Sequence, residues 1–146
     1  MKNIIAEINV SYSTNSGTKP KISSSLSAYE ILKSYWSSST MELQEEFKVL
    51  LLNRANEVLG IYSLSKGGNS GTVVDLKLLF GVALKANASG ILISHNHPSG
   101  NLIPSSADKQ ITRKIKEASE ILEIAFVDHI IISHLGYYSF IENGIS

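Results

Sequence analysis

Two histidines separated by one residue, with an aspartate further along, make the most reactive stretch of this chain. It reads Ser94-His95-Asn96-His97-Pro98-Ser99-Gly100, then Asn101 to Pro104, then Ser105-Ser106-Ala107-Asp108. Side chains alternate along a strand, so His95 and His97 project to the same side and two imidazole nitrogens can converge on one ion. Asp108 falls in the first turn of the helix that follows, in phase with Ile111 and Ile115. That phase turns its carboxylate toward the sheet and the histidine pair. Two histidines and one carboxylate leave a tetrahedral Zn²⁺ an open fourth position for water, the arrangement of a catalytic site. Such an ion lowers the pKa of its water to about 7 and polarises a carbonyl, but the water still needs a base. Glu45 and Glu46, at the mouth of the first hairpin strand, are the candidates. Glu45 shares parity with Phe47, Val49 and Leu51, and Glu46 with Lys48. Glu45 is preferred if that face is the buried one, and a one-residue slip reverses the choice.

These residues also have plain structural readings. A buried histidine bonded to backbone and an exposed strand-end glutamate are both common, and Ser105-Ser106-Ala107-Asp108 has the form of a capping box that starts a helix. Asp128 and His129 interrupt an apolar strand; a satisfied buried polar pair is the default, and support of a metal ligand the alternative. His134 reads as a turn residue. Arg113-Lys114-Ile115-Lys116 reads as a solvated helix face, too small for a nucleic-acid surface. Gly67-Gly68-Asn69-Ser70-Gly71 lacks the Gly-Lys-Ser/Thr ending of a phosphate loop, so a mobile turn is expected, one that could border a substrate groove.

The surrounding pattern supplies elements to position this stretch. Ile4, Ala6, Ile8 and Val10 alternate with Ile5, Glu7 and Asn9, which predicts a strand, and a polar loop follows to Ser25. Ser27-Ala28-Tyr29-Glu30 predicts a capping box for a helix running to about Trp36. Phe47 to Leu52 and Glu57 to Leu64 predict a hairpin joined at Asn53-Arg54-Ala55-Asn56. Asp75 is expected to cap a helix toward Ala86, and Gly90 to Ser94 to form a strand buried on both faces. Ile111, Ile115, Ala118 and Leu122 mark an amphipathic helix. Phe126 to Ser133 reads as another apolar strand, and a last hairpin turns at Leu135-Gly136 into Tyr137, Tyr138 and Phe140. Helices alternating with strands and hairpins predict an α/β fold, a mixed β-sheet sandwiched by helices.

Composition narrows the alternatives. The 146 residues are 43% hydrophobic and 18% charged, enough for a core without metal or disulfide staples. Thirteen basic residues balance thirteen acidic ones, so the net charge of zero does not support DNA as a partner. The absence of cysteine excludes disulfide frameworks, thiolate nucleophiles, zinc fingers and Cys-dependent zinc deaminases. Glu7 interrupts the apolar N-terminal stretch, so no signal peptide is expected. No segment is long enough to span a bilayer, and a soluble, cytoplasmic protein is expected.

Together, His95-Asn96-His97-Pro98-Ser99-Gly100, Pro104-Ser105 and Asp108 resemble the JAMM metal motif as carried by RadC-like proteins of the MPN/JAB superfamily. The resemblance runs from about Met41 to Phe140, through Glu45-Glu46-Phe47-Lys48-Val49, Lys85-Ala86-Asn87-Ala88 and Val127-Asp128-His129-Ile130-Ile131. It implies zinc on His95, His97 and Asp108, Glu45 as general base, and Ser105 helping to hold an oxyanion. It also implies a cytidine-deaminase-like sandwich, with residues 41–146 as the RadC-like JAMM/MPN domain and residues 1–40 as an extension of one strand and one short helix. Superfamily members include isopeptidases that remove ubiquitin-like modifiers and other amide hydrolases. RadC-like proteins have carried a DNA-repair label, and full-length ones have an N-terminal helical segment associated with DNA binding; residues 1–40 are not expected to form such a segment. The expected activity is therefore zinc-dependent hydrolysis of a peptide or isopeptide bond. The alternatives are a DNA-repair-associated protein or metal-dependent nuclease, and a non-catalytic docking module. The string His-Asn-His is no argument for an HNH nuclease, whose residues are dispersed over a longer ββα motif.

Overall fold

Strand β1, Glu46–Leu52, is buried along nearly its whole length, because its odd and even residues serve two different cores. The computed structural model describes residues 4–15, 17–67 and 74–145. Along these residues the order is α1 (Ser25–Ser34), β1, β2 (Val58–Lys66), α2 (Leu76–Lys85), β3 (Gly90–Asn96), α3 (Ser106–Ile121), β4 (Ala125–Ser133), β5 (Gly136–Ser139) and α4 (Phe140–Asn143). The sheet order is β2-β1-β3-β4-β5; β3 and β4 are parallel and the other pairs antiparallel. The fold is the expected mixed α/β sheet with helices on both faces.

One face carries Phe47, Val49, Leu51, Ile91 and Ile93 against Leu79, Phe80 and Ala83 of α2 and Ile115 of α3. The other carries Leu50, Leu52, Leu92, Ile130 and Ile132 against Ala28 and Leu32 of α1, with Trp36 and Met41. Each fully buried Leu or Ile contributes roughly 1.5–3 kcal/mol relative to an exposed one. Among the described residues no helix is long and apolar enough to cross a membrane.

Two features of the topology place the chemistry. The parallel β3–α3–β4 unit returns the chain along α3, so the first turn of α3 lies at the carboxyl end of β3. Strand β1 runs antiparallel to β3 with Phe47 opposite His95, so the start of β1 arrives at that same end.

Several local expectations are corrected. Residues 4–10 form no strand, and Ile4, Ile5, Ile8 and Val10 are exposed. Alternation makes an apolar face, but a strand also needs a neighbour for its backbone groups. The N-cap of α1 is Ser24, with Ser27 as the third helical residue closing the box, and the helix ends at Ser34. The buried side of α3 runs through Thr112, Ile115 and Ser119, while Leu122 is a C-cap residue 40% exposed. Phe140 opens α4 instead of extending β5, because Ser139 caps Glu142 N–H and Asp128 Oδ1 accepts from Ile141 N–H. Of the expected Gly67–Gly71 turn, everything from Gly68 onward lies outside the described residues.

Candidate metal centre

The alternation expected of the His-x-His pair continues past the end of β3, because His97 N–H still donates to Ile132 O of β4 at 3.0 Å. His95 and His97 therefore fall on one side, with their Nε2 atoms 3.1 Å apart. Asp108 reaches both, Oδ1 lying 3.2 Å from His95 Nε2 and Oδ2 3.2 Å from His97 Nε2. Glu45 Oε1 lies 3.8 Å from His95 Nε2. One ligand atom from each of Glu45, His95, His97 and Asp108 lies within 4.8 Å of the others. Glu46 is elsewhere: its carboxylate pairs with Lys48 Nζ at 3.4 Å and accepts from Thr40 Oγ1 at 3.3 Å. Parity with Phe47 thus brings Glu45 to the histidines, as Phe47 itself stacks on His95 with ring centroids 5.6 Å apart.

The donor set fits a metal cation. His97 Nδ1 sits 2.6 Å from Asn101 O, a carbonyl that can only accept, so Nδ1 carries a proton, and in the neutral form of the ring a bare Nε2 faces the centre. There it meets the Asp108 carboxylate, lone pair to lone pair, and the pair is relieved only by positive charge. The spacings of 3.1 and 3.2 Å between facing donor atoms are close to the edge of about 3.3 Å that a tetrahedron of Zn–N and Zn–O bonds near 2.0–2.1 Å requires.

The electrostatics agree. Hydrogen bonding to Asp108 raises the His97 pKa although burial opposes it, so the pocket draws a proton when no other cation is offered. Burial by itself would raise the Asp108 pKa, but the His95 and His97 rings, each 3.2 Å away, outweigh it and hold the carboxyl well below the usual carboxylate range. Burial pushes the Glu45 carboxyl up, with His95 pulling the other way.

Other residues take their places around this centre. Ser105 is the N-cap of α3: its Oγ accepts from Asp108 N–H at 3.0 Å, and its own N–H donates to Asp108 Oδ2 at 2.9 Å. The same box that starts the helix therefore aims the carboxylate. Asn96, between the histidines, faces the opposite side. Its Nδ2 donates to Met41 O and Gln44 O at 2.7 and 2.9 Å, fastening the segment that leads into Glu45.

Asp128 and His129 part company. Asp128 accepts from Ser139 Oγ at 2.6 Å and from the backbone N–H groups of His129 and Ile141, a satisfied structural carboxylate whose pKa burial raises. His129, fully buried, places Nε2 2.8 Å from His95 Nδ1 and Nδ1 2.6 Å from Thr112 Oγ1. Burial drives the His129 pKa well below its ordinary value, so the ring is neutral. Neither Thr112 nor Asn96 stands out in the sequence as part of the site. Their signal is positional, one helical turn beyond Asp108 and one residue between the histidines. His134 lies in the β4–β5 turn and pairs with Glu42 at 3.3 Å.

Comparison with known proteins gives an independent result. The family model described as RadC-like JAB domain matches residues 22–145. A UPF0758 protein of Flavobacterium johnsoniae is 49% identical over 125 residues, covering 86% of this chain and 53% of the relative. One of Thermotoga maritima is 38% identical over 124 residues, covering 85% of this chain and 54% of the relative. The chain thus spans about half the length of the curated relatives it matches. On the family match and these identities, the chain belongs to the RadC-like JAB domain family.

Proposed function

We propose that this domain is a zinc-dependent hydrolase of amide bonds, of the metallopeptidase or isopeptidase type. The observation that carries the reading is the convergence of His95, His97 and Asp108 with a second carboxylate, Glu45, 3.8 Å from His95 Nε2. His95, His97 and Asp108 would hold the ion, which when bound supplies Lewis acidity to a water and to the scissile carbonyl.

Glu45 takes the proton from the attacking water and delivers it to the leaving amine as the C–O bond forms and the C–N bond breaks. A carboxyl whose pKa is raised by burial suits both halves of that task. Ser105 uses its oxygen as an acceptor in the helix cap, so its hydroxyl proton is free to meet the oxyanion of the tetrahedral intermediate.

The test measures zinc content and hydrolysis of peptide and isopeptide substrates by the purified chain. His95→Ala and His97→Ala lose the metal, whereas Glu45→Gln keeps it and loses turnover. Zinc content unchanged by both histidine substitutions would sink the proposal.

A further inference from the structure

We infer that Thr112 and His129 are positioning residues that dictate which nitrogen of His95 faces the centre. The inference rests on the reading of His95 as a metal ligand and adds to it a chain of hydrogen bonds whose direction can be worked out proton by proton.

Thr112 Oγ1 lies 2.6 Å from the Asp108 carbonyl oxygen and 2.6 Å from His129 Nδ1. A carbonyl has no proton to give, so the single hydroxyl proton of Thr112 goes to Asp108 O. Toward His129, Thr112 is then an acceptor, and His129 carries its proton on Nδ1. The neutral His129 ring therefore presents a bare Nε2 to His95 Nδ1, 2.8 Å away. His95 must donate from Nδ1, which leaves its own Nε2 bare at the point where His97 Nε2 and Asp108 Oδ1 converge. The relay begins on the backbone of Asp108 and ends beside its side chain.

The surroundings hold this chain in place. His129 is fully buried, stacked on Phe140 with centroids 4.5 Å apart and tilted against Phe47 at 5.7 Å, so no solvent competes for its nitrogens. Thr112 faces the sheet from the buried side of α3, one turn beyond Asp108. Replacing the hydroxyl by a methyl removes the acceptor for His129 Nδ1–H. The His129 proton then gains by moving to Nε2, where it donates to His95 Nδ1 and drives the His95 proton onto the nitrogen that must bind the ion. Thr112→Val keeps the branched shape, and Thr112→Ser restores the oxygen.

The experiment pairs two readouts on the full chain. The first is Zn²⁺ affinity by competition with a chelator. Wild type and Thr112→Ser are expected to bind alike, and Thr112→Val about 10- to 100-fold more weakly, the range found when an outer partner of a ligand histidine is lost. The second is long-range ¹H–¹⁵N NMR of the metal-free protein at a pH where the rings are neutral, which reads the protonated nitrogen of each histidine. His95 and His129 are both expected as Nδ1–H in wild type, with His95 moved toward Nε2–H in Thr112→Val. Equal affinity of wild type and Thr112→Val overturns the inference, as does a wild-type His95 protonated on Nε2. Failure of wild type to bind Zn²⁺ would instead remove the metal reading, while the spectrum still decides the relay. Should Thr112→Val not fold, the wild-type spectrum decides alone.

Discussion

Asn96 Oδ1 accepts the backbone N–H of Glu46 at 2.7 Å, so the residue between the two histidines holds the start of the strand that Glu45 leads into. With the two bonds from its Nδ2 to Met41 O and Gln44 O, this buried amide satisfies three backbone groups at once. His95 and Asn96 thus divide the labour of one strand end: one faces His97 and Asp108, the other anchors the segment that carries Glu45.

Asn96→Ala leaves those three groups without partners in a site too buried for easy hydration, and is expected to cost about 3 kcal/mol of stability. It is also expected to free the segment before β1, with turnover falling and zinc binding at His95, His97 and Asp108 retained. Urea unfolding and zinc titration of the same variant check the two halves. Unchanged turnover in a destabilised variant would show that Glu45 does not depend on this anchor.

Metal uptake is expected to weaken in acid from a higher pH than an ordinary histidine would give. The Asp108 hydrogen bond raises the His97 pKa, so a proton occupies that ring at pH values where a free imidazole has lost it. A metal ion needs the ring bare, so binding below the His97 pKa displaces a proton, and the apparent affinity falls about tenfold per pH unit. Above that pKa this dependence disappears. Zinc titrations in several buffers between about pH 5.5 and 8, with the released protons measured from the buffer heats, follow the effect directly.

Glu45→Gln is expected to retain zinc and lose about 100- to 10,000-fold in turnover, the usual worth of a positioned general base. In the proposed role Glu45 must be ionised to take the water proton. Because burial raises its pKa, activity is lost on acidification at a higher pH than for an exposed glutamate. A pH–rate profile on a cleaved substrate, taken at saturating zinc to separate this limb from metal loss, gives the value.

Gly100 has φ +89° and donates its N–H to His97 O at 3.0 Å, in the turn that also brings Asn101 O onto His97 Nδ1. A Cβ there would lie 2.6 Å from His134 Cε1. Gly100→Ala therefore combines left-handed strain of about 1–3 kcal/mol with a clash. It is expected to lower the thermal midpoint and weaken zinc binding by displacing Asn101. Adding His134→Ala removes the clash and leaves the backbone strain, so the double variant should recover in part. Complete recovery would assign the whole effect to the imidazole.

Much of the centre was legible because it obeys local periodicities. His95 and His97 share a side through the two-residue repeat of a strand, and Asp108 turns inward through its phase with Ile115. The same logic misled where a pattern had no partner. Ile4 to Val10 alternate as a strand would, yet nothing in residues 4–10 becomes one. It fell short at the end of α3, where Ile111, Ile115 and Ala118 pack on the core as expected but Leu122 is the C-cap and 40% exposed.

The sequence by itself determined the types of the converging side chains, their facing, and the helix cap that aims Asp108, since each depends on residues only a few positions apart. Only the tertiary structure decided that Glu45 and not Glu46 joins them, because both faces of β1 are buried and hydrophobic parity cannot choose between two cores. That choice follows from the register of β1 on β3, with Phe47 opposite His95. The tertiary structure likewise decided that His129 stands behind His95, through the parallel pairing of β4 with β3 and the return of Thr112 on α3. Strand pairing is a long-range property set by how the whole sheet packs, and no local repeat encodes it.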